Sequence, residues 1–481
     1  MTSTREEKNH RQRENSQRVR LRQDGSSSRR ILLEALTQAL LAADPRTILR
    51  NKLKARGNEL LIGTFSVKLS QFRRVLVIGG GKATAGMALE TERILGGWVT
   101  GGSVNIPAYT HPWPKSSSID FNPASHPIPS EQGVRGVEKM LELLGQPSEK
   151  DLVVCLISGG GSALMPLPSL GLRLSDKQKT TQLLLKSGAR IDQINAVRKH
   201  LSDIKGGRLA EKLYPATVVS LIISDVVGDR LESIASGPTV PDSTTYSDAY
   251  NVLNDRGLWH RIPRSVRNHI IEGRNGRLPE TPKEGSEIFK RAYNFLIGTN
   301  TEPCRAAARV LKRRGYRTLI LSTRIQGEAN DVGKMMSGIV SSIRENRLPI
   351  SPPAAIVAGG ETTVTVRGKG RGGRNQELVL SAALSIRGFP KMLISSSGTD
   401  GMDGPTRAAG AVADGSTVER GLRKSLDADA YLRENNSHEF FKKLKDLIVT
   451  GPTGTNVNDI LIAIVESVEQ KSERTRRSVR L

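Results

Sequence analysis

Residues 75–86 read VLVIGGGKATAG: four apolar residues run into three glycines and a lysine. Val75, Leu76, Val77 and Ile78 suit a parallel strand covered on both faces, since such a strand lacks the polar alternation of a half-exposed one. Gly79, Gly80 and Gly81 let the backbone turn tightly, and the alanine- and methionine-bearing segment after Lys82 has helix character. Helix N-terminal N–H groups favour an anion at such a turn, and Lys82 adds a full charge, so Gly80, Gly81 and Lys82 are candidates for holding phosphate. The competing reading is that the glycines only permit close helix–strand packing. Two familiar phosphate motifs fail on spacing. A P-loop would need glycine where Leu76 stands and a hydroxyl where Ala83 stands; a dinucleotide fingerprint begun at Gly79 would need glycine where Thr84 stands.

Working outward, residues 152–165 (LVVCLISGGGSALM) repeat the logic: an apolar strand, Gly159, Gly160 and Gly161, then a helix opening at Ser162. Two such turns at one end of a parallel sheet make a polar crevice where ligands bind in open α/β sheets. Ser158 and Ser162 flank the second trio with hydroxyls that packing does not need. A third unit, residues 218–229 (VVSLIISDVVGD), ends its strand at Asp225, with Asp229 on the loop. Phosphoryl transfer needs such carboxylates, to take a hydroxyl proton or to hold Mg²⁺. Between these units, residues 195–209 (NAVRKHLSDIKGGRL) carry Arg198, Lys199, Lys205 and Arg208. Arg198 and Lys205 are candidates for binding an anion beside the glycine pair Gly206-Gly207, against the ordinary reading of a solvated helix face.

The 481 residues exceed what one core usually covers, so two or three domains are expected. Glycine is abundant (47) and aromatics scarce (4%), which favours an α/β protein over an aromatic-rich sandwich. No apolar run is long enough to span a bilayer, so a soluble protein is expected, and the sparse cysteines suit a reducing, cytoplasmic compartment. Cys155 and Cys304 offer neither a disulfide framework nor metal spacing. Part of the net charge of +24 sits at the ends, and residues 1–29 and 467–481 read as basic, disordered tails. Residues 30–43 read as a leading helix stopped by Asp44-Pro45, residues 111–129 as loop, and Ser130 as the cap of a helix over 131–144. The pattern weakens over 250–290, which places the domain boundary there: a Rossmann-like α/β domain over 30–285 and a second α/β domain over 290–466, opening with a strand at 295–297.

The second domain has its own polar turns. Gly359, Gly360 and Glu361 end a strand, Arg374 stands at a helix entrance after a glycine–arginine loop, and Asp400, Gly401 and Asp403 lie in SSSGTDGMDGPT. Arg374 presents five donors that match a phosphoryl or carboxylate group. The Asp-Gly alternation lacks the closing glutamate of a calcium loop.

Taken in order, GGGKATAGMA, SHPIPSEQG, LISGGGSALMPLP, INAVRKHLSDIKGGRLA, SDVVGDRLESIASGPTVPD, GGETTVTVRGKGRGGRNQEL, SSGTDGMDGPT and TGPTGTNVNDI closely resemble the class II glycerate kinases, whose C-terminal part is the MOFRL domain. The resemblance covers roughly residues 30–465, with the MOFRL-like region at about 353–465. It implies ATP-dependent phosphorylation of D-glycerate at the 2-hydroxyl with Mg²⁺, giving 2-phosphoglycerate and ADP. It also implies two α/β domains with the active site in the interdomain cleft. The family's essential lysine falls on Lys82, its essential arginine on Arg374 and its acidic strand-end position on Asp225. On that basis Lys82 and Arg374 are expected to neutralise the phosphoryl group, and Gly159–Ser162 to cradle phosphate or carboxylate. Gly359, Gly360, Glu361, Asp400 and Gly401 are then expected to serve nucleotide, and Asp225, Asp229 and Asp403 to serve metal. Position 407 is usually acidic in this family and is Arg407 here. The resemblance leaves a homodimer open. Rival readings are an NAD(P)H-dependent hydroxypyruvate reductase, which needs the fingerprint that Gly79–Thr84 lacks, and nucleic-acid binding through the tails, which the few scattered aromatics disfavour.

Overall fold

In the computed structural model, residues 19–22 and 26–467 are described. A short antiparallel sheet comes first: β1 (Leu53–Arg56), β2 (Glu59–Ile62) and β3 (Phe65–Lys68). The sequence reading missed it. Six strands then build the first large sheet: β4 (Arg74–Gly80), β5 (Gly101–Pro107), β6 (Ile119–Ala124), β7 (Asp151–Ile157), β8 (Thr217–Ile223) and β9 (Ala292–Gly298). All neighbouring pairs are parallel, in the spatial order β6-β5-β4-β7-β8-β9. Counted within the sheet this is 3-2-1-4-5-6, the doubly wound order, with its switch point between β4 and β7. Alternate side chains of the central strands feed two cores. Val75, Val77, Leu152, Val154 and Leu156 enter one, and Leu76, Ile78, Val153, Cys155 and Ile157 the other. Burial on both faces is why these strands read as unbroken apolar runs.

The second large sheet has the order β10-β11-β15-β12-β13-β14, from β10 (Arg317–Ile325), β11 (Ala354–Gly360), β12 (Met392–Gly398), β13 (Gly410–Asp414), β14 (Leu447–Ile448) and β15 (Asp459–Val465). Only β10 and β11 pair in parallel; β15 lies antiparallel between β11 and β12. Its alternation again serves two cores, with Leu461, Ala463 and Val465 on one face and Ile460, Ile462 and Ile464 on the other.

The chain divides into two compact units that are not continuous in sequence. One holds residues 42–300 and 454–457; the other holds the described residues up to 41, residues 301–453 and residues 458–467. The expected boundary shifts in three respects. The strand over 295–297 belongs to the first sheet as part of β9, paired with β8. The leading helix, Ser27–Ala43, buries Leu32, Ala35, Leu36 and Ala39 in a core of the second unit, with Ala307, Leu311 and Ile462. Part of the supposed N-terminal tail is ordered as well. Arg20 pairs with Val449 through both backbone groups (2.7 and 3.0 Å), and the alternation Val19, Arg20, Leu21, Arg22 sends the two apolar residues into that core. Residues 1–18, 23–25 and 468–481 of the proposed tails lie outside the described residues.

The stretch 250–290, read as turns, holds much of a helical layer. Helices Leu174–Lys186, Ile191–His200, Tyr246–Asp255 and Arg264–Arg274 bury Leu184, Ile194, Val197, Tyr246, Leu253 and Ile270 in their own cluster. Among the described residues no helix is long and apolar enough to cross a membrane.

Candidate active site

At the switch point the two glycine turns lock together. The Lys82 N–H donates to Gly159 O (2.8 Å), and the Ala83 N–H donates to the Ser158 hydroxyl (3.0 Å). Ser158, expected to meet a ligand, therefore also ties one turn to the other. The glycines of the first turn answer to packing. A Cβ on Gly79 would fall 2.0 Å from Leu156 O, on Gly80 2.4 Å from Met165 Cγ, and on Gly81 2.1 Å from Ser158 Oγ.

The second turn differs, because what crowds its glycines is chemistry. A Cβ on Gly159 would lie 2.2 Å from Asp225 Oδ2, and one on Gly160 would lie 3.1 Å from His126 Nε2 and 3.3 Å from Lys82 Cγ. Lys82, Asp225 and His126 thus converge on two adjacent residues, from the ends of β4 and β8 and from the loop after β6. His126 lies in the stretch 111–129, which reads from sequence as loop. Its position beside β6, a strand hidden in that loop by Pro123, was the missing signal. Edge strands tolerate proline, and β6 is an edge. The Gly161 N–H is bonded to Ser158 O at 3.1 Å. Ser162 Oγ meets Ser236 Oγ at 2.9 Å, and Ser236 Oγ donates to Asn195 Oδ1 at 3.1 Å.

The basic run 195–209 separates into different jobs. Lys199 is buried and paired with Asp242 at 3.0 Å, and the Arg208 guanidinium donates to Pro279 O at 2.8 Å; both hold structure. Lys205, 3% exposed, donates to Gly161 O at 3.1 Å. Burial, with Lys177 and Arg198 nearby, holds its ammonium well below the usual lysine range. The helix face is therefore mostly buried rather than solvated.

In the second unit Arg374 opens the helix Arg374–Ser385. Its guanidinium grips Asp459 with two bonds (Nε to Oδ2 2.6 Å, Nη2 to Oδ1 3.0 Å) and Glu361 with a third (Nη1 to Oε1 2.7 Å). Burial lowers the Arg374 pKa and the charges of Asp459 and Glu361 outweigh it, so the net shift is upward and the group stays cationic. Asp459 was missed from sequence, although a carboxylate at the head of an otherwise apolar strand was the available sign. Gly360 at the end of β11, with Gly359, Thr362, Ser396 and Asp459, lines a small pocket. Asp400 accepts from Met402 N at 3.0 Å, and Gly401 turns at φ 85 against Gly451. Arg407 is exposed.

Asp403 does not suit the metal role expected of it. Its two oxygens receive the N–H groups of Asn375 (3.1 Å) and Gln376 (2.9 Å) and the side-chain amides of both, so it caps the helix that Arg374 begins. Burial pushes its pKa up to about 6 against these donors. Among the described residues no three His, Cys, Asp or Glu side chains cluster as a metal cage. Mg²⁺ is ordinarily held by one or two carboxylates together with substrate phosphates. Asp225, with Asp229 on the same loop, fits that limited demand.

Comparison with known proteins follows these lines. Residues 31–271 match a domain of unknown function, DUF4147, and residues 354–459 match the MOFRL family. A protein of Pyrococcus horikoshii named glycerate 2-kinase is 45% identical, over 91% of this chain and 98% of its own. A protein of Agrobacterium vitis that carries the name hydroxypyruvate reductase is 38% identical, over 93% of this chain and 97% of its own. The crystal structure of a glycerate kinase from Thermotoga maritima superposes with a TM-score of 0.80 at 39% identity, covering 91% of this chain and 99% of that one.

Proposed function

This chain belongs to the class II glycerate kinases, and on that footing we propose that it is a glycerate 2-kinase, transferring the γ-phosphoryl group of ATP to the 2-hydroxyl of D-glycerate. The observation that carries the reading is the convergence of Lys82, Asp225 and His126 on Gly159 and Gly160 at the switch point of a doubly wound sheet. Asp225 orients the 2-hydroxyl and takes its proton as the oxygen attacks phosphorus and the bond to the departing ADP oxygen breaks. Lys82 neutralises charge on the transferring group, the main demand of phosphoryl transfer. We assign His126 to a hydrogen bond with the substrate. Mg²⁺ bound with the nucleotide would supply further neutralisation of phosphate charge, with Asp229 as the carboxylate that would hold it while Asp225 serves the hydroxyl.

Arg374, matched to the family's essential arginine, has three of its five donors engaged by Asp459 and Glu361 and two left for a phosphate oxygen. Gly359, Gly360, Glu361, Asp400 and Gly401 are the residues we assign to nucleotide. Cys155 and Cys304 are buried, and burial pushes both thiols up to about 12, which suits a reducing cytoplasm.

The reading is tested by ADP release from ATP in the presence of D-glycerate. Lys82→Ala and Arg374→Ala are each expected to lower kcat by about 10²-fold or more, the scale of a lost charge stabiliser. Near-normal turnover in either variant overturns its assignment. The reductase reading predicts NADH oxidation with hydroxypyruvate in the absence of ATP; we expect none.

A further inference from the structure

We propose that Lys177, Arg198, Lys205 and the side-chain amide of Asn195 form the subsite for the substrate's carboxylate, and that this subsite makes the enzyme select a 2-hydroxy acid over its uncharged amide. The inference rests on the glycerate-kinase reading and deepens it. Three cations gather where the fold offers them no counter-charge. Lys205 lies buried with its Nζ on Gly161 O, and Lys177 donates to Leu167 O at 3.4 Å. Arg198 stands close enough to repel both. Among the described residues none of the three makes an ion pair. Asp203 acts on Lys177 from a distance, but its own carboxylate pairs with Lys212 at 2.7 Å. Burial, with Arg198 beside it and Asp203 only partly compensating, brings Lys177 down to about 7. The contrast with the neighbouring Lys199, matched to Asp242, shows that this region pairs its structural cation. Unmatched buried charge is costly unless something of opposite sign relieves it.

A second, independent observation points the same way. Asn195 is 4% exposed, and its Oδ1 is satisfied by Ser236, yet its Nδ2 has no hydrogen-bond partner. A buried donor left open on the helix that carries Arg198, and linked through Ser236 and Ser162 to the turn that Lys205 bonds, fits an acceptor oxygen that arrives with the ligand. The location fits as well. Lys205 bonds Gly161, and Asn195 reaches Ser162 through Ser236; these two residues directly follow Gly159 and Gly160, where Asp225 and Lys82 converge. Successive Cα atoms are about 3.8 Å apart. An anion held one or two residues along the turn from the hydroxyl-activating carboxylate suits a carboxylate on the carbon next to the reacting hydroxyl.

The test uses the full chain, with D-glycerate and D-glyceramide as acceptors. Lys177→Met is expected to raise the KM for D-glycerate about tenfold or more, the scale of one charged hydrogen bond. The KM for ATP should stay within about twofold and D-glyceramide turnover should change little, so the acid-over-amide preference falls. Asn195→Asp supplies from the protein the carboxylate that we assign to the substrate. It should raise Tm and weaken the thermal stabilisation given by D-glycerate without nucleotide. An unchanged KM for D-glycerate, or a rise confined to the KM for ATP, which would give the cations to the nucleotide's phosphates, overturns the subsite. So does an Asn195→Asp protein that D-glycerate stabilises as it does the wild type. If the wild type fails to phosphorylate D-glycerate at all, it is the kinase reading that fails instead.

Discussion

Gly159 carries more of the site than its size suggests. Its hydrogen is what leaves room for the Asp225 carboxylate, so Gly159→Ala should displace Asp225 and lower kcat on the order of 10²-fold, the scale of a misplaced reacting group. A normal kcat in that variant would show that Asp225 does not act where it lies. Asp403 gives a prediction in pH. Its folded pKa of about 6 lies above the ordinary 3.8, so between those values the folded chain binds more protons than the unfolded one. Stability from this group therefore falls as pH rises from about 4 to 6. Measured by denaturant midpoints, the stability of the wild type relative to Asp403→Asn should drop across that window; a flat difference would contradict it. At this scale Lys82 and Asp225 were legible because each ends an apolar strand at a glycine or polar turn. His126, Lys177, Asn195 and Asp459 were not, since each takes its proposed role only through neighbours distant in sequence.

Among elements, the strands buried on both faces were readable as apolar runs, and Ser130 does cap Glu131–Leu144 through Gly133. Strand β6 (IDFNPA) was hidden by its proline, and Gly257, at φ 64, marked a turn between two helices rather than an extended loop. The helix Ser27–Ala43 looked like the start of the first domain because its apolar face says only that it packs, not against what. Its anchor is Arg29, buried between Asp446 (2.9 Å) and Asp414 (2.7 Å). Removing Arg29 leaves Asp414 and Asp446 with Arg420, which reaches Asp446 at 2.7 Å, so Arg29→Ala should cost on the order of 3 kcal/mol, read by chemical denaturation. A loss below about 1 kcal/mol would place the helix's anchorage in its apolar face alone.

For the whole molecule, sequence order was a poor guide to where one unit ends, because the leading helix up to residue 41 and residues 454–457 each join the unit that their neighbours in sequence leave. Composition alone suggested a nucleic-acid partner at net charge +24. The structure redirects part of that charge inward: Arg29, Lys199, Lys205 and Arg208 are buried. The family and its reaction were legible because many of the motif segments lie at strand-end turns, where close glycine packing and the placement of polar groups together fix the residue. The central claim is the transfer of phosphate to the 2-hydroxyl of D-glycerate. The most direct measurement supplies the protein with D-glycerate, ATP and Mg²⁺, adds enolase but no phosphoglycerate mutase, and follows phosphoenolpyruvate. Phosphoenolpyruvate forming in step with ADP is the predicted result; ADP released without it would mean phosphorylation elsewhere and would contradict the account.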